Sequence, residues 1–256
     1  MLDYAAFPQQ RQALICQILQ ENGRVVCAEL AARLQVSEHT IRRDLHELSR
    51  EGFCKKVYGG AVLSLPEAGD YSEQKDKNRA TKLRIAQQCA RLVKPGGTIF
   101  VDTGTTNLAM AEALPAELAL TVVTNSPEIA AVLVKKPLYD VVILGGQVQR
   151  ASGGCVGAAA VAQVQGMLFD QGFIGGCAMA PESGLTGFDY ADCEFKKAVI
   201  KQCSEIIIGL TSDKIPAVAR FVVAASSDID VLVVEENISR EYRVAFQQHD
   251  IRIHTV

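Results

Sequence analysis

The stretch Val36-Ser37-Glu38-His39-Thr40-Ile41-Arg42-Arg43-Asp44-Leu45 decides the fold of the first part of the chain. Ser37 is a good helix N-cap, because its hydroxyl can accept a hydrogen bond from an early backbone N–H that has no helical partner. Beyond it, Ile41, Leu45 and Leu48 recur at spacings of four and three, which places them on one helical face. The polar side chains left outside are candidates for contacts in a DNA major groove: Ser37, His39, Thr40, Arg42 and Arg43.

Two helical patterns precede this stretch and a strand pattern follows it. Residues 9–21 carry apolar side chains at helical spacing and end at Asn22-Gly23, and residues 28–34 form a second short pattern. Only Gln35 and Val36 separate that pattern from Ser37, which predicts a helix-turn-helix. Residues 52–61 alternate apolar and polar side chains, which predicts a small β-wing whose Lys55 and Lys56 reach phosphates.

The alternative for this region is an ordinary small helical domain with a solvated charged face. Residues 37–60 hold five Arg or Lys and four Asp or Glu, so the local charge is only 5 − 4 = +1. Such a balance is not a basic footprint that would argue for nucleic acid by itself. The order of the helices, rather than net charge, favours DNA binding.

Length and composition indicate two domains. The chain has 256 residues, 48% of them hydrophobic, with a formal net charge of −3. That length exceeds the usual single domain, and the first 62 residues do not use it up. We therefore predict a DNA-binding domain at 1–63, a linker at 64–78 and a second domain at 79–256.

The cysteines and the apolar segments indicate the cellular compartment of the protein. The eight cysteines are scattered, and no pair has Cys-x-x-Cys spacing. Buried thiols are expected rather than disulfides or a zinc site, and we predict no metal and no cofactor. No segment has the apolar length of a membrane span, and the first residues do not resemble a secretory signal. We expect a cytoplasmic protein.

The second domain reads as an α/β fold. A polar stretch from 64 to 78 contains Pro66 and Gly69, and an amphipathic helix is predicted at about 74–93. Short apolar runs then alternate with helical patterns, which implies a mostly parallel sheet covered on both faces. The predicted strands are 98–101, 120–123, 141–144, 173–174, 206–208 and 231–234.

Ligands of such sheets bind at the carboxyl ends of the strands. Asp102-Thr103-Gly104-Thr105-Thr106 follows the first strand, Thr124-Asn125-Ser126-Pro127 the second, and Gly145-Gly146 the third. A glycine that permits close approach, hydroxyls and helix N-terminal amides suit a phosphate, and Asp102 suits sugar hydroxyls. Each loop alone is better explained by turn and capping chemistry, so the co-occurrence of the loops with Asp102 carries the argument.

The motifs resemble those of a known family. Residues 36–45, Gly52 and Tyr58-Gly59-Gly60-Ala61 look like the DNA-binding end of the DeoR family of bacterial transcriptional regulators. That family usually has His at the position of Tyr58, and either ring can donate a hydrogen bond to a phosphate. The resemblance spans roughly residues 8–236. It implies a winged helix-turn-helix followed by a sensor domain with the sheet of ribose-5-phosphate isomerase and coenzyme A transferases.

The resemblance also assigns an effector site. It implies that a phosphorylated sugar or related metabolite binds with its phosphate on the Gly104 loop. By position, the effector-binding residues are Asp102, Gly104, Thr105, Thr106, Asn125, Gly146, Glu194, Lys197 and Lys214. The sequence departs from the family near the last of these: Thr211 and Asp213 stand where the family commonly has Asp and Ser, and Glu235 where it often has Asp. An exposed Lys214 outside the pocket is the alternative.

Two functions remain open at this stage. The first is a regulator, a repressor of carbohydrate catabolism genes, that leaves its double-stranded DNA operator when a sugar phosphate binds. It would act as a homodimer or homotetramer, because one helix-turn-helix buries little surface on DNA. The second is an isomerase-like enzyme with an appended DNA-binding module. Isomerisation would need a base, Asp102 or Glu194, and Lys214 as electrophile, and the attached helix-turn-helix favours the regulator.

Overall fold

The computed structural model describes residues 7–64 and 71–256. Residues 1–6 of the predicted first domain and 65–70 of the predicted linker lie outside these ranges. The first domain is a helix-turn-helix with a wing. Its elements are α1 (Pro8–Asn22), β1 (Arg24–Val26), α2 (Cys27–Leu34), α3 (Glu38–Arg50), β2 (Cys54–Val57) and β3 (Gly60–Leu63).

The helix-turn-helix forms as its sequence pattern predicts. The side chains of Ile41, Leu45 and Leu48 are 0%, 1% and 4% exposed, and they pack with α1 and α2 in one core. Ser37 caps α3, since its hydroxyl accepts from the backbone N–H of Thr40 at 3.1 Å. The turn between α2 and α3 uses a left-handed residue, Gln35, with φ of 54°.

The wing is a three-stranded antiparallel sheet in the order β1-β3-β2. Gly60 is required where β3 passes β1, because a Cβ there would lie 1.9 Å from the carbonyl oxygen of Val25. The close passage fixes the wing against the end of α1 and thus beside the recognition helix.

The second domain is an α/β domain. Its elements, in chain order, are α4 (Tyr71–Asp76), α5 (Arg79–Arg91), β4 (Thr98–Val101), α6 (Thr105–Ala113), β5 (Leu120–Thr124), α7 (Pro127–Leu133), β6 (Tyr139–Ile143), β7 (Gln147–Val148), β8 (Cys155–Val156), α8 (Ala158–Val164), β9 (Gln171–Ile174), β10 (Ala178–Ala180), β11 (Gly184–Gly187), α9 (Tyr190–Ile200), β12 (Ile206–Gly209), β13 (Phe221–Ala224), β14 (Val231–Val234), α10 (Arg240–Gln247) and β15 (Arg252–Thr255).

Seven parallel strands form the main sheet, in the order β15-β14-β12-β9-β4-β5-β6. One core packs α5, α6 and α7 on one face, and a second core packs α8, α9 and α10 on the other. Strand β14 is buried along its whole length, as expected for a sheet covered on both sides. The predicted fold class is confirmed. A small antiparallel sheet of β10, β11 and β13 adjoins the second face.

The prediction of one continuous helix over 74–93 is wrong. Asn78 adopts a left-handed conformation with φ of 55°, which ends α4 and starts α5 in a new direction. The segment predicted as a linker, 64–78, therefore contains a helix, and Tyr71 in it donates a hydrogen bond to Glu128 of α7. In the described ranges, no helix is both long and apolar enough to cross a membrane.

Candidate functional site

The outer face of α3 presents the residues predicted to meet DNA. His39, Arg42 and Arg43 are exposed, and Arg42 donates to Glu38 one turn earlier at 2.9 Å. Both partners are more than 45% exposed, so this ion pair is weak and leaves the guanidinium available for exchange with a base edge. The hydroxyls of Ser37 and Thr40 lie 2.9 Å apart at the N-terminus of α3.

A buried ion pair, which the sequence pattern did not reveal, fixes α3 against α1. Arg11 donates to the two carboxylate oxygens of Asp44 at 2.5 and 3.0 Å, and both side chains are 1% exposed. Gln12 adds a bond to Glu47 at 2.6 Å. Bidentate pairing of this kind sets orientation as well as proximity, so the angle of the recognition helix depends on it.

The wing contributes cations beside the same helix. Lys55 and Lys56 lie on β2, and Tyr58 at the turn is fully exposed. Arg42, Lys56 and Tyr58 line one surface groove between α3 and the wing. The exposed face of α3 and the wing residues Lys56 and Tyr58 thus form one surface, an arrangement that suits a DNA duplex.

The second candidate site is a cavity of about 150 Å³ in the α/β domain. It opens at the carboxyl ends of three neighbouring strands, β4, β9 and β12. The loops after these strands supply residues 103–105, 175–177 and Lys214, and α9 supplies Asp192 and Lys196. The position is the one that open α/β sheets use for ligands.

The N-terminus of α6 forms one wall of this cavity. Gly104 precedes the helix with φ of 139°, and Thr105 begins it. The first turn of a helix leaves backbone N–H groups without helical partners, and these donate readily to an anion. Thr103 holds the loop in place, since its hydroxyl donates to the carbonyl of Ser152 at 2.8 Å.

A buried cluster of two carboxylates and one ammonium lies at this cavity: Asp192 and Lys196 line it, and Asp102, which is fully buried, pairs with Lys196 without lining it. The Nζ of Lys196 lies 2.5 Å from Asp192 and 3.5 Å from Asp102, and all three side chains are at most 7% exposed. Asp102 also accepts from the backbone N–H of Gly175 at 2.9 Å. The second oxygen of each carboxylate, Oδ1, has no hydrogen-bond partner within the described part of the chain. Buried acceptors in that condition are rare.

The electrostatics of this cluster are unusual. Burial raises the pKa of Asp102 to about 6, against the opposing influence of Lys196, and the carboxylate of Asp192 raises it further. Burial alone would lower the pKa of Lys196, but the two carboxylates outweigh it and hold that pKa well above its ordinary value. The cluster thus carries one cation between two anions and can still accept hydrogen bonds. Asp192 and Lys196 were missed at the sequence level.

Lys214 reaches the cavity from the loop after β12, where its Nζ donates to the carbonyl of Gly176 at 2.9 Å. Burial lowers its pKa, and nearby lysines lower it further. The alternative of an exposed Lys214 does not hold. The carboxylates near Lys214 bind other groups: Asp213 pairs with Lys77 at 3.6 Å, and Glu235 accepts from the backbone N–H of Ser212 at 2.6 Å.

Three other predicted effector residues support the cavity without lining it. The side chain of Asn125 is fully buried, accepting from the N–H of Thr103 at 2.9 Å and donating to the carbonyl of Cys155. Gly146 allows β7 and β8 to pair, since a Cβ there would lie 3.0 Å from the carbonyl of Val156. Thr106 packs beside Gly209 of β12.

Glu194 and Lys197 lie elsewhere. They pair with each other at 2.7 Å and are 42% and 40% exposed, on a face of α9 turned away from the cavity. Their neighbours on the inward face, Asp192 and Lys196, occupy the site instead. In the ranges the structure covers, no group of three His, Cys, Asp or Glu residues is arranged to hold a metal ion.

Both halves of the chain match the two modules of one regulator family. Residues 11–66 match the DeoR-like helix-turn-helix domain, and residues 77–236 match the DeoR C terminal sensor domain. The molecule is therefore a transcriptional regulator with a sensor domain, and not an enzyme. The chain belongs to the DeoR family, as its motifs predict.

Similar proteins cover nearly the whole chain. The HTH-type transcriptional regulator GolR of Listeria innocua is 31% identical over 94% of this chain and 96% of its own length. The glycerol-3-phosphate regulon repressor of Haemophilus influenzae is 32% identical over 87% of both chains. Among solved structures, ribose 5-phosphate isomerase A of Methanocaldococcus jannaschii aligns over 56% of both chains at 19% identity, with a TM-score of 0.41.

Proposed function

We propose that this regulator represses genes of carbohydrate catabolism and leaves its operator when a phosphorylated sugar or polyol binds in the cavity. Its relatives include a protein named for repression of a glycerol-3-phosphate regulon, which supports both the sign of regulation and the ligand class. Release requires that the ligand prefer a form of the protein that binds DNA poorly.

The operator-binding surface comprises α3 and the wing. Arg42 and Arg43 read base edges, and the remaining contacts go to phosphates or nearby bases: Ser37, His39, Thr40, Lys55, Lys56 and Tyr58. Two copies of the chain place two such helices on a repeated or palindromic site. We therefore propose a homodimer, or a homotetramer built from it.

The single observation that carries the ligand class is the juxtaposition in one cavity of an anion site and a hydroxyl site. The N-terminus of α6, with Gly104 and Thr105, and the ammonium of Lys214 accept the phosphate. The carboxylate of Asp192, which lines the cavity, accepts from sugar hydroxyls, and Asp102 behind it pairs with the same lysine.

The size of the cavity restricts the ligand further. The cavity has a volume of about 150 Å³. Since the cavity is open on one side, a small phosphorylated polyol or the phosphate end of a sugar fits better than a nucleotide.

The test begins with a thermal-shift screen of the full chain. Glycerol 3-phosphate, pentose phosphates and hexose phosphates are compared with inorganic phosphate and the unphosphorylated sugars. We expect a phosphorylated compound to raise the melting temperature and its unphosphorylated form to leave it unchanged. Binding of the unphosphorylated sugar with equal strength would contradict the proposal.

The second part of the test is release from DNA. An operator is selected from random oligonucleotides with the full chain, and its affinity is measured by fluorescence anisotropy. We expect Thr105→Val to bind the operator normally and to lose release by the phosphorylated compound. Thr121→Val, an equal change on β5 outside the cavity, is the control and keeps release. Full release of Thr105→Val would contradict the assignment of the phosphate site.

A further inference from the structure

One loop contacts both the cavity and the DNA-binding domain. It comprises residues 211–218, which follow β12 at the ligand-binding edge of the sheet, and we call it the 211–218 segment. Near its middle, Lys214 lines the cavity and donates to the carbonyl of Gly176. Two residues later, Pro216 lies against the DNA-binding domain.

The contact at Pro216 is tight. Gly23, which ends α1, packs so closely that a Cβ on it would lie 2.6 Å from two ring carbons of Pro216 and 3.0 Å from its carbonyl oxygen. Pro216 is buried, and so are its neighbours 215 and 217–219. A displacement of Pro216 therefore pushes directly on the end of α1.

The far end of the segment joins the wing. The backbone N–H of Val218 donates to the carbonyl of Leu63 at 3.2 Å, and the N–H of Leu63 donates to the carbonyl of Gly23 at 2.7 Å. Val218 and Val62 are both fully buried in a small apolar cluster that also contains Ala180. The segment is thus bonded and packed to the strand that closes the wing.

Within the DNA-binding domain, α1 is in turn fixed to the recognition helix. The Arg11–Asp44 pair links α1 to α3 through two buried hydrogen bonds. A chain of direct contacts therefore runs from Lys214 through Pro216 and Gly23 to α3. Packed elements of this kind shift between discrete arrangements rather than deform gradually.

We propose that the 211–218 segment transmits effector binding to the DNA-binding domain. The phosphate replaces the carbonyl of Gly176 as the partner of Lys214, because a charge-assisted bond to a phosphate is stronger than a bond to a neutral carbonyl. The resulting movement of the segment shifts Pro216 and Val218 against Gly23 and Leu63, and so reorients α1 and α3. This inference rests on the proposed function of the cavity.

Gly23→Ala tests the contact, with Gly52→Ala as its matched control. The two glycines have φ of 73° and 80°, so both substitutions carry the same backbone strain, but nothing lies within 4 Å of a Cβ at Gly52. The probe is the phosphorylated compound with the largest thermal shift. Its Kd is measured by calorimetry, and its effect on operator affinity by anisotropy.

We expect Gly23→Ala to bind the probe with a Kd within about twofold of the parent chain and to lose most of the change in operator affinity, whose usual size is about 5- to 150-fold. Gly52→Ala keeps that change. Equal coupling in both variants overturns the proposal. If circular dichroism shows that Gly23→Ala is unfolded, Val218→Ala replaces it as the test variant. This substitution removes part of the neighbouring apolar contact and is judged by the same criterion.

A separate arm needs no ligand. Lys214→Met abolishes the bond to Gly176, and we expect it to change operator affinity at least about threefold although Lys214 does not belong to the DNA-binding surface. Lys201→Met, an exposed lysine on the other side of the domain, leaves the affinity unchanged. If no phosphorylated compound binds the parent chain, the proposed function fails, and this arm still tests the transmission. A change in operator affinity in Lys214→Met alone supports transmission by the segment, and an unchanged affinity overturns it.

Discussion

Replacing Lys196 by methionine probes the buried cluster of the sensor domain most severely. The ammonium of Lys196 lies 2.5 Å from Asp192 and 3.5 Å from Asp102, and the three side chains are 7%, 7% and 0% exposed. Lys196→Met removes the one cation and leaves two carboxylates facing each other away from water. Breaking a buried ion pair in this way costs about 3–5 kcal/mol, because the remaining charge has no compensation.

The assay is urea unfolding of the full chain followed by circular dichroism, at pH 7 and at pH 5. Lys197→Met is the control, since its partner Glu194 lies on the exposed face of the same helix, and surface pairs contribute about 0–1 kcal/mol. We expect Lys196→Met to lower the free energy of unfolding at pH 7 by about 3–5 kcal/mol and Lys197→Met by less than about 1 kcal/mol. Equal losses in the two variants would refute the assignment of the buried cluster.

The pH dependence has a definite sign. Burial raises the pKa of Asp102 from its ordinary value of 3.8 to about 6. The ionisation of Asp102 therefore lowers the free energy of unfolding as pH rises from 3.8 through 6. Without Lys196, the influence that opposes this shift is lost, and the pKa rises further. The stability deficit of Lys196→Met should therefore shrink as pH falls from 7 to 5. A deficit that grows toward pH 5 would show that the carboxylates do not cause it.

Three further predictions concern other parts of the chain. Arg42→Ala should weaken operator binding by about 1–3 kcal/mol in an anisotropy titration if its guanidinium contacts a base in bidentate fashion, and removal of Arg42 and Arg43 together without effect would exclude α3 as the recognition helix. Arg11→Met should lower the free energy of unfolding by about 3–5 kcal/mol in urea titrations, and Asp44→Leu added to it should restore much of the loss, because the buried carboxylate is then gone. Glu205→Gln should lower the free energy of unfolding at pH 7 by at most about 3 kcal/mol, and by nearer 1–2 kcal/mol because the basic partners of Glu205 are exposed. Hydrogen bonds outweigh burial and lower the pKa of Glu205 to about 2. The difference in stability from the parent chain should therefore vanish as pH falls from 4.5 toward 2.

The sequence was sufficient for the elements whose signals are local. The cap at Ser37 and the apolar stripe at Ile41, Leu45 and Leu48 belong to one helix, and six of the seven strands of the main sheet contain a short apolar run, whereas β15, Arg252–Thr255, has none and was not predicted. The rule that ligands bind at strand carboxyl ends pointed to the loop after Val101, and residues 103–105 of that loop line the cavity. These features need no knowledge of what lies across the fold.

The predictions that differ from the structure depend on contacts between distant segments. The burial of Asp44 depends on its pairing with Arg11, which lies 33 residues away in the sequence. The family resemblance pointed to Glu194 and Lys197, whereas the cavity holds Asp192 and Lys196. A helical signal for the latter pair is present in the sequence, because Phe195 and Val199 are apolar at the spacing that puts Asp192 and Lys196 on their face, and Asp189 is the N-cap of α9.

Coupling between the cavity and the operator is the central claim, and its reciprocity is the most direct test. An effector that lowers operator affinity by a given factor must bind more weakly, by the same factor, to the protein held on its operator. The measurement is the Kd of the phosphorylated compound, by calorimetry, for the free chain and for the chain saturated with operator DNA. We predict a higher Kd on the operator, by the factor seen in release. An unchanged Kd would contradict the account, because the cavity would then have no influence on DNA binding.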